Sequence, residues 1–159
     1  MITDSQLERK NQMDYLTEDP DEYLIRYRHL LADPRFKYQS LGEYWYYSKR
    51  YKKWLHIKDG YKTDGATGPG VVDIHSNCHW FHDVCCDDGC WEDGTKMCNW
   101  QASTVLGDIL WAEGAYYRRK GQKGLYLKRK AESVFWWAAT FCGGGGEARK
   151  NGMFHVKEK

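Results

Sequence analysis

The chain has no apolar run close to the roughly 18 residues that a membrane-spanning helix needs. Its start, Met1-Ile2-Thr3-Asp4-Ser5, lacks the basic and then apolar stretch of a secretory signal. Together these absences predict a soluble protein made in a cytoplasm. Net charge is also small: 24 Lys and Arg stand against 22 Asp and Glu, leaving +2. That near balance argues against a nucleic-acid partner. The basic residues do cluster, from Lys49 to Lys53 and from Arg118 to Lys130. Solvated faces account for clusters of this size. No internal repeat is visible, which excludes a solenoid.

What the sequence does have is aromatic bulk. In 159 residues, the length of one ordinary domain, there are 8 Trp and 12 Tyr. Hydrophobic residues reach 42 %, yet the mean hydropathy is −0.81. The core must therefore lean on rings that bury large areas and keep a polar tip.

The pattern predicts an α+β fold, mainly helical. Residues 4–32 carry a rough helical stripe of Leu7, Tyr15, Tyr23, Leu24, Tyr27, Leu30 and Leu31, broken near Asp19-Pro20. Residues 36–62 are rich in strand-forming aromatics, with turns at Lys49–Lys53 and Asp59-Gly60, and predict a small antiparallel sheet or hairpin. The loop TDGATGPG at 63–70 cannot sustain a helix. A helix is expected over 73–87 with Asp73 as N-cap, then a loop over 87–96, and helices over 97–119 and 123–142. The last should give Leu125, Leu127, Ala131, Val134, Phe135, Trp136 and Ala138 to the core. This divides the chain into an N-terminal helical segment (1–35), a core domain (36–142) and a flexible glycine-rich tail (143–159).

The candidate chemistry lies between Thr63 and Asp108. On the helix IHSNCHWFHDVCC, His75, His79, His82 and Cys86 recur at i, i+4, i+7 and i+11, so they share a face. Cys78, His82 and Cys85 share an overlapping one. Asp83 lies about 100° round the helix from His82. Asp108 stands in the next helix among Leu106, Ile109, Leu110 and Trp111, where a carboxylate needs a partner. Consecutive helices joined by short connections run antiparallel. Asp108 is thus expected to face His82 and orient its imidazole for general-base work. Alternatively, the pair is a buried polar link between two helices.

Five of the six cysteines fall between Cys78 and Cys98, and the sixth is Cys142. An even count is compatible with disulfides, and the missing signal argues for thiols. Cys85, Cys86, Cys90 and Cys98, with His79 or His82, offer soft ligands for Zn2+, although their spacing matches no standard finger or ribbon.

The ordered residues Gly60-Tyr61-Lys62-Thr63-Asp64-Gly65-Ala66-Thr67-Gly68-Pro69, His82-Asp83-Val84-Cys85-Cys86 and Gly107-Asp108 with Gly114 resemble a phage and prophage family of small proteins of unassigned function. That family has GF-x-TDGAS-x-P, then HD-x-x-Y, then AD and a following Gly. Here Thr67 replaces Ser, Cys86 replaces Tyr and Gly107 replaces Ala. The likeness spans residues 40 to 140.

More distantly, Cys78-x-x-x-His82-Asp83-x-Cys85 is similar to the catalytic helix of secreted and parvoviral phospholipases A2. That resemblance implies His82 as base and Asp108 as its orienter. It also implies Asp83 as a Ca2+ ligand, with carbonyls of Gly65, Gly68 and Gly70 in the loop that Asp64 opens. Its expected activity is calcium-dependent hydrolysis of lipid esters at a phospholipid membrane surface. The alternatives are a non-enzymatic virion or assembly component that meets other phage virion proteins, and a zinc-stabilised structural module. Each predicts a protein made in the host cytoplasm, and the assembly reading adds association with the virion.

Overall fold

A computed structural model describes Pro20, residues 24–63, residues 76–142 and residues 152–153. The fold is α+β. Five strands are β1 (Tyr27–His29), β2 (Tyr38–Ser40), β3 (Tyr44–Ser48), β4 (Lys53–Ile57) and β5 (Lys62–Thr63). Three helices follow: α1 (Cys78–Asp88), α2 (Asn99–Arg119) and α3 (Lys123–Cys142).

Strands β3 and β4 form the expected hairpin, antiparallel with Tyr44 opposite Ile57 and Ser48 opposite Lys53. Lys52 closes its turn at φ 55°, the described non-glycine residue with positive φ. Alternation sorts the rings. One face presents Tyr44, Tyr46, Leu55 and Ile57 to the core. On the other, Trp45 stacks on His56 at 3.7 Å, and Tyr47 meets Trp54 at 5.1 Å.

A second sheet has the order β1-β2-β5, with both pairs antiparallel. Here the structure corrects the sequence reading, because residues 27–29 are strand where a helix was expected. Over so short a stretch, the Tyr27-to-Leu31 spacing fits either period. Pairing with β2 decides it, helped by edge-on packing of Tyr27 on Tyr38 at 5.1 Å. The remaining N-terminal helical expectation lies outside the described residues.

Helix α1 buries Cys78, Trp80, Phe81, Val84 and Cys85. Phe81 meets Tyr46 of the hairpin at 5.5 Å, and Trp80 meets Tyr27 and Tyr61 of the other sheet. Gly89 ends the helix at φ 65°, its N–H donating to the Cys85 carbonyl at 2.8 Å. The expected cap, Asp73, lies outside the described residues. Asn77 holds the cap position, and its side chain instead accepts the Ile25 N–H at 2.9 Å. This contact ties the first strand region to the start of α1.

Helices α2 and α3 pack as an antiparallel hairpin. Partners along α3 fall in number as those along α2 rise: Asn99 with Phe141, Ser103 with Thr140, Thr104 with Trp137, and Glu113 with Arg129. Gly114 lets the axes approach, since a Cβ there would stand 3.2 Å from Arg129 Cβ and 3.4 Å from the Tyr126 carbonyl. The helix α2 stripe Ala102, Val105, Leu106, Ile109 and Leu110 is fully buried.

Helix α3 packs on a different face from the expected one. Of its predicted core residues, only Trp136 is buried; Leu125, Leu127, Ala131, Val134, Phe135 and Ala138 are exposed. The inward stripe is Arg129, Ser133 and Trp136, with Tyr126 and Trp137 half-buried. Polar contacts to α2 turn it inward. The expected tail also needs correction at one point: Met153 is buried in the core, and its carbonyl accepts the Asn99 N–H at 3.0 Å.

Candidate functional site

The two halves of the expected site separate. His82 lies on α1, partly exposed, and its imidazole nitrogens approach Cys86 Sγ at 3.8 and 3.9 Å. Loss of water around the ring, with the nearby His79 imidazole adding to it, pulls its pKa down to about 4. Burial, then the Asp83 and Asp87 charges, push the Cys86 thiol up to about 12. Both shifts favour the neutral forms of the two groups.

Asp108 does not reach His82. Its two carboxylate oxygens accept from Arg50 in the β3–β4 turn, from Nε and Nη2 at 2.8 Å each. Tyr46 of β3 lies close to both helices, with its ring on Phe81 and its phenol raised by burial and then by the Asp108 charge. The expected orienting bond is therefore replaced by a two-point ion pair. Arg50 had been read only as part of a basic turn.

Asp83 accepts from the Thr63 hydroxyl, and Asp87 accepts from the Tyr61 hydroxyl. Helix α1 thus holds β5 and the approach to it through two carboxylates one turn apart. Asp64, Gly65, Gly68 and Gly70, along with His75, lie outside the described residues. His79 is buried with its ring edge-on to Trp136 at 5.0 Å, linking α1 to α3.

The six cysteines are free thiols. Cys78, Cys85 and Cys86 are buried, Cys90 and Cys98 are partly exposed, and Cys142 is exposed. Burial raises Cys78 and Cys85 well above the usual thiol range. Among the described residues, no three His, Cys, Asp or Glu side chains are grouped as a metal site would need. Cys98 instead caps α2, together with Gln101, whose side chain accepts the Cys98 N–H at 3.2 Å.

Sequence reasoning missed two features. The first is a buried charge cluster in which Arg129 Nε stands 3.1 Å from Glu113 and Arg129 Nη1 donates to Glu132 at 2.8 Å. Ser76 donates to the other Glu113 oxygen at 2.9 Å. The signal was there: Glu113 continues the apolar 3–4 spacing of Leu106, Ile109 and Leu110.

The second is an open cleft of about 760 Å³. Arg50 and Tyr51 bound it from the hairpin turn, Trp100, Thr104, Gly107, Asp108 and Trp111 from α2, and Ser133, Val134 and Trp137 from α3. Trp100 and Trp137 meet edge-on at 4.8 Å, and Trp137 donates to Thr104 at 3.1 Å. Asp108 therefore belongs to an aromatic cleft with an ion pair at its edge. The cleft is concave and mainly apolar, with a few oriented polar groups along it.

Among the described residues, no helix is long and apolar enough to cross a membrane. Comparison of the chain with protein-family models, curated proteins and solved structures finds no match.

Proposed function

We propose that this chain is a non-enzymatic binding component, of the kind a phage particle uses in assembly, and that the aromatic cleft takes its partner. The destination of Asp108 carries the reading. Its carboxylate serves Arg50 at the cleft edge. His82 is left with a thiol neighbour and a pKa of about 4. A general base works best with a pKa near the operating pH and an orienting partner, and among the described residues no carboxylate is bonded to His82. The cleft, by contrast, offers tryptophan faces and a guanidinium, the groups that concentrate binding energy at protein interfaces.

Quantitative mass spectrometry of purified particles tests this. The chain should appear at a fixed copy number, and Trp111→Ala should deplete it without unfolding it, since Trp111 is 51 % exposed. Absence of the chain from particles contradicts the proposal.

Calcium-assisted, phospholipase A2-like hydrolysis of lipid esters is the second reading, and one contact favours it. The Thr63–Asp83 bond fixes the strand end that leads into residues 64–70 against the helix carrying His82. Calcium-dependent release of fatty acid from phospholipid vesicles, lost in His82→Ala, would establish this reading over the first.

A further inference from the structure

The two basic clusters of the sequence, far apart in the chain, come together at the aromatic cleft. One is the β3–β4 turn, whose Arg50 and Tyr51 line it. Lys49 and Lys52, beside them in the same turn, are exposed. The other cluster reaches the cleft from the α2–α3 end. Lys130 Nζ lies 5.7 Å from the ring centroid of Trp111, which lines the cleft, and 5.8 Å from that of Tyr126. Arg118 stands over the same Tyr126 ring at 5.4 Å. Cation and ring therefore alternate from the end of α2 to the cleft: Arg118, Tyr126, Lys130, Trp111. The near-balanced net charge pointed away from nucleic acid because it averages over the whole chain, whereas an anion answers to the local field.

Inside the cleft the surface changes from charge to indole. Trp100, Trp111 and Trp137 line it and all keep exposed area, Trp111 the most at 51 %. Along α2, Trp100 and Trp111 stand about 16 Å apart, room for a short run of extended nucleotides. The carboxylate that would repel an anion here, Asp108, is offset by Arg50 at 2.8 Å. Cations beside exposed rings are the two parts of a site for single-stranded nucleic acid, in which phosphates alternate with flat bases. A duplex keeps its bases stacked on one another and offers none to an indole. The concave form favours a strand over a bilayer, which meets only the rim of a cleft.

We propose that the aromatic cleft binds single-stranded nucleic acid, with bases stacked on its indoles and phosphates met by Lys49 and Lys52 on the hairpin turn and by Lys130 and Arg118 at the α2–α3 end. The proposal rests on the binding reading above and names its partner.

The test is fluorescence anisotropy of a labelled oligothymidylate of about 12 nucleotides, within the usual site sizes, titrated with the full chain. Binding should saturate, and it should weaken steeply as salt rises. Trp111→Ala should weaken it at least about fivefold, the loss of one base–aromatic stack, while the circular dichroism spectrum stays unchanged. Lys49→Glu combined with Lys52→Glu should weaken it as well and flatten the salt dependence, since fewer phosphates are neutralised. No binding at low salt overturns the proposal, and so does wild-type affinity in either variant. Equal affinity for a duplex of the same length overturns it too, because charge alone would then hold the strand. Polyglutamate or anionic phospholipid vesicles bound more tightly than the oligonucleotide, and lost in Trp111→Ala, name a protein or a lipid partner instead and overturn it. The two readings fail separately. A wild-type chain present in particles at a fixed copy number that binds no oligonucleotide overturns the nucleic-acid partner alone, whereas absence of the chain from particles overturns the binding reading.

Discussion

The reassignment of Asp108 can be weighed by a double-mutant cycle. The perturbations are Arg50→Ala, Asp108→Ala and both together. The Arg50 side chain is 58 % exposed and that of Asp108 is 28 %, so water screens much of the attraction. Exposed ion pairs contribute about 0.2–1 kcal/mol. Two parallel N–H bonds at 2.8 Å place this pair at the upper end. The expected coupling is about 1 kcal/mol in low salt. It should fall by half or more at 1 M salt, where the screening length is about 3 Å. Urea unfolding of the four proteins measures it. A parallel cycle between His82→Ala and Asp108→Ala should add to within about 0.5 kcal/mol, as independent sites do. A larger His82–Asp108 coupling, or none between Arg50 and Asp108, would refute the reasoning.

Three further outcomes follow from the packing and the titrating groups. Leu106 is fully buried, so Leu106→Ala should cost about 2–5 kcal/mol in urea unfolding. The two α2 glycines should respond oppositely to alanine. Gly114→Ala forces Arg129 Cβ, at 3.2 Å, to give way and should lower the melting temperature. A Cβ at Gly107 meets its nearest neighbours at 3.5 Å, so Gly107→Ala should raise it through helix propensity. Because the folded His82 pKa of about 4 lies below its unfolded value of 6.5, the unfolded chain binds more protons between these values. Its contribution is therefore lost as pH falls from about 6.5 to 4, by at most about 3 kcal/mol, and less because the ring keeps some exposure. Asp88, raised by burial, works in the opposite direction near the acid end of that window. Asp93, held down to about 2 by bonds from Lys53 and Thr95, loses its contribution only below the usual carboxylate pKa. A His82→Gln variant should have a flatter pH profile in urea unfolding, and an unchanged profile would contradict the lowered His82 pKa.

What could be read from the sequence follows the range of the forces involved. The hairpin and the extents of α2 and α3 rest on local patterns: cross-strand aromatics, turn residues and glycines at the breaks. The residues 27–29 belong to a strand through pairing with Tyr38–Ser40, which no local period announces. Helix α3 carries two candidate stripes. The apolar one was assigned to the core, yet Arg129, Ser133 and Trp136 face α2 because Glu113 and the close approach at Gly114 select that side. Asp108 was singled out as a carboxylate that needs a partner, and His82 was the partner expected. Its partner lies 58 residues earlier, in a turn whose cations gave no sign of which would reach it.

The most direct test of the central claim is an NMR titration of the His82 imidazole in the wild type and in Asp108→Asn. The account predicts a pKa near 4 in the wild type and no change in the variant, since the carboxylate belongs to Arg50. A wild-type value above 6.5 that drops in Asp108→Asn would mean that Asp108 orients His82 after all, and it would restore the hydrolase reading.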